Sequence, residues 1–484
     1  MMSFLSRKKI EHTIPVKSID PDAVSVLHRL NKAGFTAYLV GGGVRDLLLG
    51  RTPKDFDIAT DANPNQIRRL FRNAFIIGRR FRLALIRFGD KQIETSTFRR
   101  SPEPDEIESA DAGTPGALYQ SADNAFGTPE EDALRRDFTV NALFYDIAST
   151  KIIDYAGGLR DLAKKTLRSI GDPNIRFRED PVRMLRAVRL SARLDFTIHA
   201  DSAKAIARHS GEIMQASKPR LFEEIGRLFT YSKAEEAFKR LWETGLMADL
   251  LPTVADYVAH SGKAKSPLWK YLATLDAAGP QLVVDDRRAP HYVYETSLRF
   301  AVLLAPLYLE RCKIATAEGK IDAMAIAEAL VGDVLVTPFS TPSWRVPRLM
   351  CQDIANILDS LSFHLSPNVR RNRYFRQPCF YTALTFWRIC AVAGENKSAL
   401  PVIDSWSAAY EDFIVGHAGE RPRKGAPAAD PAEFESEDEQ RDSLFPPKKH
   451  KRRRSRHRRH SPRTDAADTP AAESAADKAQ IKTT

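Results

Sequence analysis

An apolar run that ends in three glycines, with paired aspartates shortly after, constrains this chain more than any other stretch. Tyr38-Leu39-Val40 leads into Gly41-Gly42-Gly43 and Val44-Arg45-Asp46-Leu47-Leu48-Leu49-Gly50, and Asp55-Phe56-Asp57 lies just beyond. The pattern predicts a strand, a tight turn and a short amphipathic helix. Glycines let backbone N–H groups approach phosphates, and a helix N-terminus favours anions. In a strand, residues two apart share a face. Asp55 and Asp57 would then present two carboxylates together while Phe56 and Ile58 turn to the core. Paired carboxylates suit Mg²⁺, which takes hard oxygen ligands and substrate phosphates. Either feature alone is weak, because most D-x-D pairs are exposed turns and many glycine turns bind nothing. Within one short α/β unit they reinforce each other.

The remaining organisation is that of a chain too long for one core, at 484 residues. Residues 20–155 alternate short apolar runs with charged turns, as in Ala84-Leu85-Ile86-Arg87-Phe88, and read as a mixed-sheet head. Residues 156–230 turn helical, with Val182, Leu185, Val188 and Ala192 at helical spacing. Residues 231–417 continue as a helical body with breaks near Pro252, Pro280, Pro290 and Pro342. From 418 to 484 an acidic patch, an Arg-rich run through Arg452, Arg453 and Arg454, and an Ala/Asp/Thr-rich end cannot bury enough apolar surface to offset ordering. The expected class is therefore α+β: a mixed-sheet head, an all-helical neck and body, and a disordered basic tail.

A net charge of +11 points to a polyanionic partner. Cys312, Cys351, Cys379 and Cys390 form no C-x-x-C pair and read as buried thiols of a reducing compartment. No run approaches the ~20 apolar residues of a membrane span, and the N-terminus lacks an apolar signal core, so a cytoplasmic protein without a membrane partner is expected.

The glycine turn and D-x-D resemble the head of the class II nucleotidyltransferases, a family of bacterial poly(A) polymerases and CCA-adding enzymes. Further matches follow in order. Arg135-Arg136-Asp137-Phe138-Thr139-Val140-Asn141 is similar to the family's R-R-D-F-T-x-N, Asp154-Tyr155-Ala156-Gly157-Gly158 to its D-x-x-G-G turn, and Glu179-Asp180-Pro181-Val182-Arg183-Met184-Leu185-Arg186 to its E-D-x-x-R-x-x-R segment. Ile76-Ile77-Gly78-Arg79-Arg80-Phe81-Arg82-Leu83 resembles the stretch that marks poly(A) polymerases within the class, although Leu85 stands where the pattern commonly has histidine.

The resemblance implies template-independent addition of AMP from ATP to RNA 3′ ends, with mRNA and small RNA as acceptors. Asp55 and Asp57 would hold two Mg²⁺ ions, and Asp137 would be the third catalytic carboxylate, ranked above Glu94. Gly42 and Arg45 would contact the triphosphate, and Arg136 the nucleotide. One helix starting at Glu179 would read the base through Asp180 and Arg183, with Glu179 orienting Arg183 and Arg186 on the same polar face. RNA would be held by Arg79, Arg80 and Arg82 and by the tail at Arg452, Arg453 and Arg454. Association with RNA-decay machinery is implied by the resemblance alone. Two rivals are a tRNA nucleotidyltransferase that adds CCA or its terminal A, and a non-catalytic RNA-binding protein on the same fold.

Overall fold

The structure, a computed structural model, describes residues 14–78, 83–100, 125–279, 294–319, 322–362, 374–377 and 379–416. Arg79, Arg80, Arg82, Arg452, Arg453, Arg454 and the expected tail lie outside the described residues.

The head is built on a sheet of seven strands: β1 (Ala37–Val40), β2 (Asp57–Thr60), β3 (Ala74–Ile77), β4 (Leu83–Phe88), β5 (Lys91–Thr97), β6 (Leu143–Asp146) and β7 (Lys151–Asp154). Their order is β3-β4-β5-β2-β1-β6-β7, with β2 and β5 parallel and every other pair antiparallel, so the sheet is mixed as expected. Alternation divides its two faces sharply. Leu39, Ile58, Ala84, Ile86 and Ile93 enter the large core on the back, with Val26 and Leu27 of α1 (Pro21–Lys32) and Ile67 of α3 (Pro64–Leu70). Val40, Ala59 and Phe144 face the other way, into a small cluster with Phe98, Ala133, Ala142 and Ile170. This front face carries the candidate site.

The short helix α2 (Gly42–Leu48) follows β1. A capping box starts the helix Pro129–Arg135: Glu131 N–H donates to the Thr128 side chain, the Glu131 carboxylate takes the Thr128 N–H, and Pro129 stands in the first turn. That helix delivers Arg136 and Asp137 beside the sheet.

Residues 156–230 are mostly helical, with one departure from the all-helical expectation. Thr166–Leu167 and Thr197–Ile198 pair as a two-residue parallel ladder. The helix Val182–Leu194 buries Val182, Leu185, Val188 and Ala192, as their spacing predicts. It does not begin at Glu179. Glu179 ends the preceding helix (Pro173–Glu179), Asp180 is extended at φ −141°, and Pro181 caps the next helix. Proline disfavours helical geometry in the residue before it, which breaks the expected single helix there.

Helices dominate the described residues of the body, from Leu246–Leu250 to Ala399–Gly416, and Phe222 of the neck stacks on Phe300 of the body helix Glu295–Ala317 at 5.5 Å. That helix runs on through Pro306 without a break. Among the described residues no helix is long and apolar enough to cross a membrane.

Candidate active site

Strand β1 ends where Gly41 turns the chain at φ 71°, ψ −135°, a region open in practice to glycine alone. A Cβ there would stand 3.0 Å from Nη1 of Arg136. Strain and contact act together. Gly41→Ala is expected to cost about 1–3 kcal/mol of stability and to raise the KM for nucleotide, read from the ATP dependence of incorporation. An unchanged KM would detach the turn from nucleotide binding.

The same turn explains where β2 begins. Val40 pairs with Asp57, and beyond Val40 there is no ladder for Asp55 to join. Asp55 therefore lies in the preceding loop, exposed, with its carbonyl 3.3 Å from where a Gly43 Cβ would be, while Asp57 is half-buried at the strand's start. The two carboxylates still act on each other. Burial, opposed by Arg136 and reinforced by Asp55, holds the Asp57 carboxyl above its ordinary range.

The third carboxylate of this group is Glu94. Ile58 pairs with Thr95 in the parallel ladder, so one residue back Asp57 and Glu94 are neighbours on the front face. Burial, then the charges of Asp57 and Asp55, push the Glu94 carboxyl up. Like charges gathered this way are a high-energy arrangement that a cation relieves. The donors are all hard oxygens, which fits Mg²⁺. Among the described residues no three His, Cys, Asp or Glu side chains converge closely enough to hold a metal ion as they are placed.

Asp137 stands elsewhere, between head and neck. Its Oδ1 accepts from the Phe138 N–H at 2.8 Å and from Asn141 at 3.0 Å, and its Oδ2 accepts from Nε and Nη2 of Arg186 at 2.9 and 2.5 Å. Burial alone would raise its carboxyl. Arg186 and these hydrogen bonds outweigh that and bring it to about 2. Arg186, expected at the nucleotide, is thus engaged with Asp137 and, at 3.7 Å, with Glu224.

Arg45 also departs from expectation. It is 2% exposed, and its guanidinium donates to Asp46 at 2.7 and 2.9 Å and to Asn141 at 2.5 Å. It lies under the glycine turn, with Nη2 3.4 Å from where a Gly42 Cβ would be. Arg136 is the cation at the turn itself. It packs over Phe144 at 5.3 Å, pairs with Asp132 at 3.0 Å, and with Ser96, Arg99, Asp132 and Arg135 lines a hollow of about 240 Å³.

The segment from Glu179 to Arg186 is compact despite its break. Glu179 pairs with Arg176 at 2.7 Å and with Arg183 at 3.3 Å, and Asp180 receives both Nη atoms of Arg220 at 3.1 and 2.8 Å. Sequence reasoning gave no role to Arg220, Asn141, Arg193 or Glu224. Asn141 lay within the quoted R-R-D-F-T-x-N match, so its signal was available. Arg193 joins Asp46 at 2.7 Å and stacks on Tyr231 at 3.9 Å, and Glu224 gathers Arg189 at 2.7 Å and Arg227 at 3.2 Å.

Two family models match stretches of the chain. One described as the poly A polymerase head domain matches residues 37–168, and one described as the probable RNA and SrmB-binding site of polymerase A matches residues 195–258. Poly(A) polymerase I of Salmonella typhi is 48% identical over 254 residues, which cover 52% of this chain and 54% of that protein. The chain thus matches about half the length of that relative. Poly(A) polymerase I of Escherichia coli O6:H1 is 42% identical over 330 residues, covering 67% of this chain and 68% of that protein. Among solved structures, the Bacillus stearothermophilus CCA-adding enzyme in complex with CTP is similar at TM-score 0.56 and 25% identity, covering 84% of this chain and 90% of that one.

Proposed function

The chain belongs to the bacterial poly(A) polymerase I family, and on that premise we propose that it transfers adenylate from ATP to RNA 3′ ends without a template, releasing pyrophosphate. The observation that carries the reading is the placing of Asp57 beside Glu94 at the foot of the Gly41 turn, with Asp55 near enough for its charge to act on both.

Asp55 and Asp57 would hold Mg²⁺, which when bound supplies polarisation of the α-phosphoryl group and of the attacking 3′-hydroxyl. The protein's own contribution is placement. The Gly42 backbone N–H at the turn and the Arg136 guanidinium would face the triphosphate and counter its charge, while the Gly41 N–H is held by the Leu143 carbonyl. Arg45 holds the turn from beneath rather than touching phosphate. Asp180 and Arg183 would meet the adenine edge, with Glu179 fixing Arg183. Asp137 and Arg186 set the angle between the two surfaces that the nucleotide bridges. Arg79, Arg80 and Arg82, and the tail at Arg452, Arg453 and Arg454, would neutralise RNA phosphates. A cytoplasmic location and a role in RNA decay belong to the same proposal.

The test offers each NTP singly, with Mg²⁺, to an unstructured RNA and to a tRNA lacking its CCA end. Long ladders from ATP on both primers are expected. Extension that needs CTP, or that stops within three nucleotides on tRNA alone, would make this a tRNA end-repair enzyme. No pyrophosphate from any NTP would make it a binding protein.

A further inference from the structure

The rank that holds Asp57 and Glu94 runs on to the open edge of the sheet. Leu85 of β4 pairs with Glu94, and Phe75 of the outermost strand β3 pairs with Leu85, so all four side chains share the front face. Phe75 is 53% exposed, although Ala74 on one side of it and Ala84 and Ile86 across from it are buried on the back. The Arg87 guanidinium, two residues along from Leu85, sits 5.2 Å from the Phe75 ring centroid. Ile77 and Leu83, paired with each other, extend this surface half-buried.

We infer that Phe75, Leu85 and Arg87 form the platform on which the last bases of the RNA primer stack, upstream of its reacting 3′ end; the direction of the strand rests on the adenylyl-transfer reading above. An exposed aromatic ring beside a guanidinium is the common means of holding single-stranded nucleic acid: the ring takes a base and the cation meets the backbone. The platform is continuous with the carboxylates. Three strand spacings separate Asp57 from Phe75, about 14 Å at ~4.8 Å each, which is about four stacked nucleotides at ~3.4 Å.

Its chemistry also suits the task. Phe75, Leu85, Ile77 and Leu83 carry no side-chain hydrogen-bonding group, so the surface grips any base. A polymerase needs that where its primer begins as arbitrary sequence and becomes its own product. Leu85 keeps the row apolar at the position where the family pattern commonly has histidine.

The experiment titrates the full-length protein, without nucleotide, into an unstructured RNA carrying 2-aminopurine four nucleotides from its 3′ end. Primer and ATP KM values are then measured for wild type, Phe75→Ala and Phe75→Trp. Wild type should change the 2-aminopurine fluorescence on binding. Phe75→Ala should abolish that change and weaken primer affinity by about tenfold, the lower range for losing one base–aromatic stack. The ATP KM should stay fixed, and Phe75→Trp should restore both signals. Primer affinity within twofold of wild type in Phe75→Ala, with the fluorescence change retained, overturns the platform. So does a shift in oligomeric state with RNA affinity unchanged, which would make this edge a self-association surface. The binding titration needs no catalysis, so a wild type that bound RNA in this way but transferred no adenylate would refute the functional reading and leave the platform standing.

Discussion

Replacing Asp57 by alanine is expected to lower adenylate incorporation by about 10³-fold or more while leaving the fold as stable as before, or slightly more so. Phosphoryl transfer has little covalent chemistry for a protein to perform, so placement and charge stabilisation supply most of the acceleration, and the residue that anchors the cation carries several kcal/mol of it. Stability moves the other way because Asp57 is held against its own preference. Burial and the neighbouring Asp55 push its carboxyl up, so its ionised form is under strain that alanine removes. Single-turnover extension with saturating ATP and primer, beside a thermal melt, reads both effects. Near-normal turnover in a folded Asp57→Ala protein would remove Asp57 from the reaction.

Asp137→Ala should give the opposite signature, a large loss of stability with activity falling as a consequence. Alanine would leave Arg186 without its closest partner at the junction of head and neck, and breaking one side of a buried pair costs about 3–5 kcal/mol. Acid reports on the same bond. The folded carboxyl titrates at about 2, below the ordinary value of 3.8. Its contribution, about 2 kcal/mol, is therefore complete above roughly pH 4 and is lost as pH falls through 2. The double variant Asp137→Ala, Arg186→Met separates positioning from chemistry. Removing both charges should recover much of the stability. If Asp137 only positions, activity returns with it. A stable but inactive double variant would place Asp137 or Arg186 on the substrate. The measurements are denaturant unfolding from pH 2 to 7 and incorporation at pH 7.

The local unit of β1, glycine turn, α2 and Asp57 was legible because every signal in it acts over a few residues. Leu39 and Val40 alternate faces, Gly41 takes a conformation that side chains avoid, and Asp57 follows a short loop past α2. What sequence could not supply was register. Glu94 sits beside Asp57 only because β5 joins β2 in parallel, a pairing of residues 37 apart along the chain with no local mark. Arg45 was misplaced for a related reason. An arginine in a phosphate-turn motif suggests an outward donor, but Asn141, which claims it, comes from 96 residues away. The break at Pro181 was different. Its cause was written in the sequence, and the weight given to i, i+3 and i, i+4 spacing hid it.

Beside the shared apolar core, ion pairs cross the joint between head and neck, as charges are expected to grip RNA, yet ionic strength treats the two differently. Exposed arginines facing a phosphate backbone lose affinity steeply as added salt displaces the gain from counterion release. Asp46 with Arg193 and Asp137 with Arg186 have carboxylates less than a tenth exposed, where mobile ions screen poorly. The same kind of bond thus serves as a releasable contact on the surface and a fixed hinge pin inside, and a rise in salt can free the product strand without loosening the frame that will take up the next one.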